Sequence, residues 1–183
     1  MKKKILYNER GLTLGTEYKK DQWKNIIIHS DSEIKGFFGD YRFLSNFWPV
    51  KVFLDNDLYP SIENAYQAAK YPRNKRSFLQ TCTPKEAVEY SRNNPLNTES
   101  SNQWDARKII VMENLLIQKF DKELNPDVYS KIKNTGDRYL EESNYWEDVF
   151  WGVHKTKASD KGVGENNLGK LLMKIRDHLK GLT

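Results

Sequence analysis

The longest helical period in the chain runs over residues of about 103–123, where Ile109, Met112, Leu116 and Phe120 recur at the spacing of one helix face. Trp104, Lys108 and Val111 fall on the neighbouring stripe. What surrounds this helix constrains the fold most. Strand-like and helical segments do not alternate around it as they would in a parallel nucleotide-binding sheet. A second apolar stripe closes the chain, with Leu168, Leu171, Leu172, Ile175 and Leu179 facing inward and Gly181 as the stop. The expectation is an α+β domain, predominantly helical, with a small antiparallel sheet. Its 183 residues fit one domain and suffice to bury a core.

Local signals place the other elements. Residues 1–34 read as an N-terminal extension, charged and punctuated by glycine, with Ile26-Ile27-Ile28 as its one strand-like piece, and residues 35–183 as the domain proper. Residues 36–49 are aromatic and turn-rich, and read as a loop with extended pieces. Val50 to Tyr59 reads as a hairpin turning at Asp55-Asn56-Asp57, with Pro60 ending its second strand. Ser61 caps a helix through Lys70. Thr83-Pro84-Lys85-Glu86 is a capping box with proline in the first turn. Asn125-Pro126 opens a short helix that Gly136 closes. Asp137 to Val153 reads as short extended pieces and loop, and Gly162 to Asn167 as a loop.

Several function classes drop out. Cys82 is the only cysteine, so no internal disulfide forms, and a reducing, cytoplasmic setting is expected. No secretory leader is visible and no apolar run reaches membrane length, so no membrane partner is expected. His29, His154 and His178 have no zinc-ligand spacing, and neither metal nor cofactor is expected. Walker, dinucleotide and Gly-x-Ser-x-Gly motifs are missing. Cys82 precedes a helix but has no histidine near it in sequence. The net charge of +5 favours anionic ligands, and reads equally well as a solvated basic surface.

Carboxylates and lysines remain: Glu63, Asp137, Glu141, Asp148, Lys70 and Lys108. Glu63, Gln67 and Lys70 follow an i, i+4, i+7 pattern and share one helix face. Glu63 and Lys70 lie roughly 10 Å apart along the axis, at about 1.5 Å per residue. That face is either an ordinary solvated surface or the wall of a sugar-sized site. These groups suit cleavage at an anomeric carbon, where a carboxylate stabilises positive charge or moves a proton. A desolvated lysine can also attack a carbonyl-like carbon.

The clusters occur in a distinctive order. Phe43-Leu44-Ser45-Asn46-Phe47-Trp48-Pro49 is followed by Ser61-x-Glu63-Asn64-Ala65-Tyr66-Gln67-Ala68-x-Lys70. Next come Trp104-x-x-x-Lys108-x-x-Val111-Met112, Lys119-Phe120, Thr135-Gly136-Asp137-x-x-Leu140-Glu141 and Asp148-x-x-Trp151-Gly152. Gly164-x-Asn166-x-Leu168-Gly169-x-x-Leu172-Met173-x-Ile175-Arg176 closes the series. From about residue 36 to the last helix, this order resembles the YbiA-like, or NADAR, family.

The resemblance implies an α+β domain that hydrolyses N-glycosidic bonds of phosphorylated ribosylamines, such as early riboflavin-pathway intermediates. A second branch of the family implies removal of ADP-ribose from guanine in nucleic acid. A non-catalytic module binding ADP-ribose is a third reading. By the resemblance, Glu63 is the acid/base or oxocarbenium-stabilising carboxylate, Lys70 the covalent nucleophile, and Asp148 a ribose-binding or catalytic carboxylate. Phe47, Gln67, Trp104, Lys108 and Trp151 are expected to line the ligand site, and Ser45, Asn46 and Asn166 to meet sugar or phosphate. Arg42 and Arg176 are phosphate candidates. Asp137 is either a turn-former or a ligand contact. Two departures stand out. Asn64 occupies a position that is histidine in many relatives, and the basic stretch Val153–Lys161 is longer than the expected Gly-rich link. That stretch motivates the nucleic-acid reading.

Overall fold

The computed structural model describes residues 27–156 and 159–181. Along the chain the elements are β1 (Ile28–His29), β2 (Glu33–Lys35), a 3-10 turn (Gly39–Leu44), β3 (Pro49–Leu54), β4 (Asp57–Ser61) and α1 (Ile62–Ala68). Two further 3-10 turns follow, then α2 (Pro84–Asn93), α3 (Thr98–Lys119), α4 (Pro126–Lys133) and β5 (Tyr139–Glu141). Last come β6 (Ser143–Asn144), β7 (Val153–Thr156), β8 (Ser159–Val163) and α5 (Asn167–Gly181). The described residues fall into two compact units: Asn46–Asn134, and those up to Ser45 together with those from Thr135 onward. The α+β class is as expected.

Within Asn46–Asn134, the β3–β4 hairpin turns on Asp55 and Asn56, at φ +52° and +67°. Two consecutive left-handed residues match strand twist, and Asp and Asn tolerate that conformation better than other side chains. β4 continues through Pro60 to Ser61 instead of ending at the proline. Pro60 sits at the register shift between the Val52–Tyr59 and Pro49–Ser61 pairs, where its missing N–H interrupts no regular ladder. Ser61 is then both last strand residue and helix cap, its hydroxyl accepting from the Asn64 amide at 3.1 Å. α1 ends at Ala68, earlier than expected, so Lys70 lies in the following turn, where its amide donates to the Gln67 carbonyl at 3.2 Å.

α1 packs on α2 and α3. The capping box of α2 forms as expected. α3 begins at Thr98 because the Asn97 side chain caps it, accepting from the Ser100 amide at 2.8 Å. Its buried line is Trp104, Met112, Leu115, Leu116 and Lys119. Ile109, expected on that line, is exposed. The line passes through Lys108, one residue and about 100° of helix rotation away. The outer edge of β3 is covered by side-chain amides. Asn125 exchanges two hydrogen bonds with the Lys51 backbone, at 3.0 and 2.9 Å. Gln118 does the same with Phe53, at 2.7 and 3.0 Å.

In the other unit, β2 pairs antiparallel with β1 and parallel with β5, aligning Ile34 with Leu140. β7 pairs parallel with β6 and antiparallel with β8. Among the described residues, the expected small antiparallel sheet is instead three small sheets with two parallel pairings. Parallel pairing needs a long crossover, which the chain between β2 and β5 supplies. The Ile26-Ile27-Ile28 run straddles the boundary: Ile26 lies outside the described residues, and β1 opens at Ile28. The loop expected over 36–49 contains the 3-10 turn, which buries Phe43 and Leu44. β8 takes up Gly162 and Val163, so the loop expected from Gly162 shortens to the residues before α5. α5 buries Leu168, Leu171, Leu172 and Ile175. Gly169 lets it approach β5, because a Cβ there would collide with the Leu140 carbonyl and the Asn166 amide. Among the described residues no helix is long and apolar enough to cross a membrane.

Candidate active site

α1 brings together the residues read as its polar face. Gln67 Nε2 donates to Glu63 Oε1 at 2.7 Å, so the i, i+4 pair is a formed hydrogen bond. Neither residue sits on a freely solvated face, since Gln67 is buried and Glu63 half-buried. Asn46 joins them through its carbonyl, which accepts from the Glu63 amide at 3.0 Å. The Asn46 side-chain nitrogen points to Met112 Sδ at 3.6 Å, while its buried Oδ1 has no hydrogen-bond partner. Phe47, next in the chain, is half-buried.

Lys70 stands over two aromatic rings. Its Nζ is 5.7 Å from the centroids of both Tyr66 and Trp104, which meet edge to face at 4.8 Å. Burial holds the Lys70 pKa below the usual lysine range; Glu63 opposes this and the charge of Lys108 adds to it. Lys108 itself pairs with Asp105 at 2.8 Å. A lysine that sheds its proton more readily is the form that attacks carbon. Two contributors were not anticipated. Tyr66, on α1, lies four residues before Lys70 in the turn that follows, a spacing that was legible. Arg107 donates to the Ala69 carbonyl and lies 5.4 Å from the Trp104 ring, and nothing local in the sequence signals it.

The remaining predicted residues belong to the other unit. Arg42 donates to Ser45 Oγ at 2.9 Å. Burial disfavours the Arg42 charge, and Glu142 partly restores it. A desolvated guanidinium beside a hydroxyl is chemically suited to phosphate. Asp148 Oδ1 accepts from the amides of Phe150 and Trp151, at 3.2 and 2.9 Å, and Asn144 brackets the same turn with two further bonds. The Trp151 ring is half-buried and edge-on to Phe150 at 4.9 Å.

Three predicted residues are committed elsewhere. Asn166 is buried; its Oδ1 accepts from the Glu142 amide, and its Nδ2 donates to the Leu140 carbonyl and the Tyr139 hydroxyl. Arg176 is buried and donates to the Arg138 carbonyl at 2.6 Å. Asp137 is exposed and bridges Lys180 at 2.5 Å, which lowers its pKa. In the basic stretch, Lys155 is buried against Glu141 at 2.9 Å, so its charge is turned inward. Lys157 and Ala158 lie outside the described residues. Asn64 fills a core position, donating to the carbonyls of Leu79 and Cys82. Burial raises the Cys82 thiol pKa, the opposite of an activated nucleophile.

Comparison with known proteins gives the family. The NADAR domain model matches residues 35–180. An N-glycosidase of Nostoc punctiforme is 30% identical over 78% of this chain and 88% of its own length. N-glycosidase YbiA of Escherichia coli is 30% identical over 76% of this chain and 82% of its own length. A riboflavin biosynthesis protein of Vibrio vulnificus is 29% identical over 77% of this chain, which spans 36% of that longer protein. The NMR structure of Escherichia coli YbiA superposes with a TM-score of 0.66 at 28% identity, covering 88% of this chain and 92% of the other.

Proposed function

Since this chain belongs to the NADAR family, we propose that it is an N-glycosidase, hydrolysing the bond between the anomeric carbon of a phosphorylated ribosylamine and its amine nitrogen. The observation that carries this reading is the desolvated Lys70 amine beside the Gln67-held Glu63 carboxylate. The similarity to a riboflavin biosynthesis protein favours early riboflavin-pathway intermediates as the substrate class. Nucleic-acid de-ADP-ribosylation loses part of its motive, because Lys155 is spent in a buried ion pair.

The chemistry follows from these groups. Ring opening of a ribosylamine leaves an imine at C1. Once deprotonated, the Lys70 nitrogen adds to that carbon and gives a diamine adduct. Glu63 relays a proton from the Lys70 nitrogen to the departing amine. The C1–N bond to the amine then breaks, leaving a Schiff base on Lys70. Water adds to this Schiff base, releasing the sugar aldehyde and restoring the lysine.

The test offers the full chain a phosphoribosylamino-pyrimidine and, in parallel, an ADP-ribosyl-guanine oligonucleotide. Mass spectrometry reads released sugar and, after borohydride, an adduct on Lys70. Turnover of the first substrate is expected, and inertness toward both would sink the reading. Glu63→Gln should lower turnover by about 10²- to 10⁴-fold while the melting temperature holds. Normal turnover in that variant would remove Glu63 from the mechanism.

A further inference from the structure

α1 carries two buried side-chain amides three residues apart, Asn64 and Gln67. Their hydrogen bonding differs. Asn64 has both ends satisfied: Nδ2 donates to the Leu79 and Cys82 carbonyls, and Oδ1 accepts from the Ser61 hydroxyl at 2.6 Å. That is how a structural amide is held in a core. Gln67 spends its nitrogen on Glu63 Oε1, and its buried Oε1 has no hydrogen-bond partner. A side chain selected for core satisfaction would not leave a buried acceptor unmade, because that carries the full desolvation penalty. Its orientation is also set by chemistry. Rotating the amide would bring two oxygens together at 2.7 Å, so the donor end must face the carboxylate.

We propose that Gln67 is a positioning residue, holding the Glu63 carboxylate ionised and in one orientation. A donor to the charged form of a carboxylate favours that form, and a buried donor one turn away on the same helix restricts its rotation. Among the described residues, charged groups near the pair stand on its own chain segment and on α3. Lys70 follows on the same chain segment, and Lys108 of α3 acts on Lys70. Arg107 of α3 is turned to the Ala69 carbonyl, and on the α2 side Asn64 Nδ2 donates to the Cys82 sulfur, whose thiol pKa burial raises. All of these are common to wild type and a Gln67 variant, so a difference between the two reports on Gln67.

The N-glycosidase reading enters only in assigning Glu63 to the reacting carbon; the contact stands without it. The experiment is therefore read first without substrate. The carboxyl carbons of labelled glutamates in the full chain are titrated by NMR, in wild type and in Gln67→Met, which keeps the length and removes the donor. The Glu63 midpoint is expected to rise by about one pH unit in the variant. An unchanged midpoint in a folded variant would overturn the proposal. If Gln67→Met does not fold, the wild-type Gln67 side-chain N–H signals serve instead. They should titrate with the midpoint of Glu63, and indifference to it would overturn the proposal equally. In turnover, Gln67→Met should lose about ten- to a hundredfold in kcat with little change in KM, and the pH limb governed by Glu63 should move upward. Gln67→Glu should recover activity as the pH falls, because a protonated carboxyl can donate where the amide did. Full kcat in Gln67→Met despite a shifted midpoint would also reject the positioning role. A shifted midpoint in a protein with no glycosidase turnover would leave the contact in place and reject the proposed function.

Discussion

Lys70 is the residue on which chemistry and stability pull apart. Burial lowers its pKa, Lys108 lowers it further, and Glu63 raises it. Removing each neighbour should therefore move it in opposite directions. In an NMR titration of the lysine side chains, Lys108→Met is expected to shift the Lys70 midpoint up and Glu63→Gln to shift it down. Movement in the same direction would contradict the arrangement. The linkage has a definite sign. A lysine with a depressed pKa in the native state binds fewer protons there than in the unfolded chain. Stability then rises with pH between the folded and unfolded pKa values, and below the folded value the penalty is fully present. Lys70→Met should accordingly gain about 1 kcal/mol, read as about 2–4 °C in Tm at this size, while losing turnover. A marked loss of stability would show that the charge over the two rings is net favourable. The grouping of Glu63, Gln67 and Lys70 was legible because it depends on helix geometry within one short segment. Asn166 and Arg176 were not, because their partners, Leu140 and Arg138, are brought to them only by tertiary packing.

Elements show the same division. Caps and turns, such as Ser61, Thr83 with Glu86, and Asp55-Asn56, were legible since each is decided within a few residues. Ile109 and Pro60 misled because periodicity does not say which of two adjacent stripes meets a neighbour, or where a ladder is irregular. The cover on β3 is invisible at that range. Gln118 and Asn125 present their amides to Phe53 and Lys51 in the donor–acceptor pattern of a neighbouring strand. An exposed strand edge otherwise invites pairing with another chain. The double variant Gln118→Ala, Asn125→Ala removes four such bonds. It should cost about 2–4 kcal/mol, and it should show stronger concentration-dependent association by sedimentation than wild type. A variant that is destabilised yet no more prone to associate than wild type would mean that the amides serve only the stability of the unit.

For the whole chain, the order of the units suggests an order of folding. Asn46–Asn134 is one continuous stretch, whereas the other unit joins residues up to Ser45 with residues from Thr135 onward. Its β2–β5 ladder pairs Ile34 with Leu140 across that entire stretch, a contact that no local signal anticipates. Closing so long a loop costs conformational entropy before any strand bond repays it. The hairpin and helices of Asn46–Asn134 close only short loops, although α3 must still reach β3. Contacts of short sequence separation form faster. In pulse-labelled hydrogen exchange during refolding, the Ala69 and Ala87 amides, bonded to Ala65 and Thr83, should be protected first. The Gly36 and Tyr139 amides, bonded to Glu141 and Ser32, should follow on the order of tenfold more slowly. An early unit without β2 and β5 would already hold Glu63, Gln67 and Lys70 on their helix and turn, so the Glu63–Gln67 bond should form in the fast phase. Simultaneous protection of all four amides would instead mean that the continuous stretch has no stability of its own, and that the candidate site forms only when the β2–β5 ladder closes.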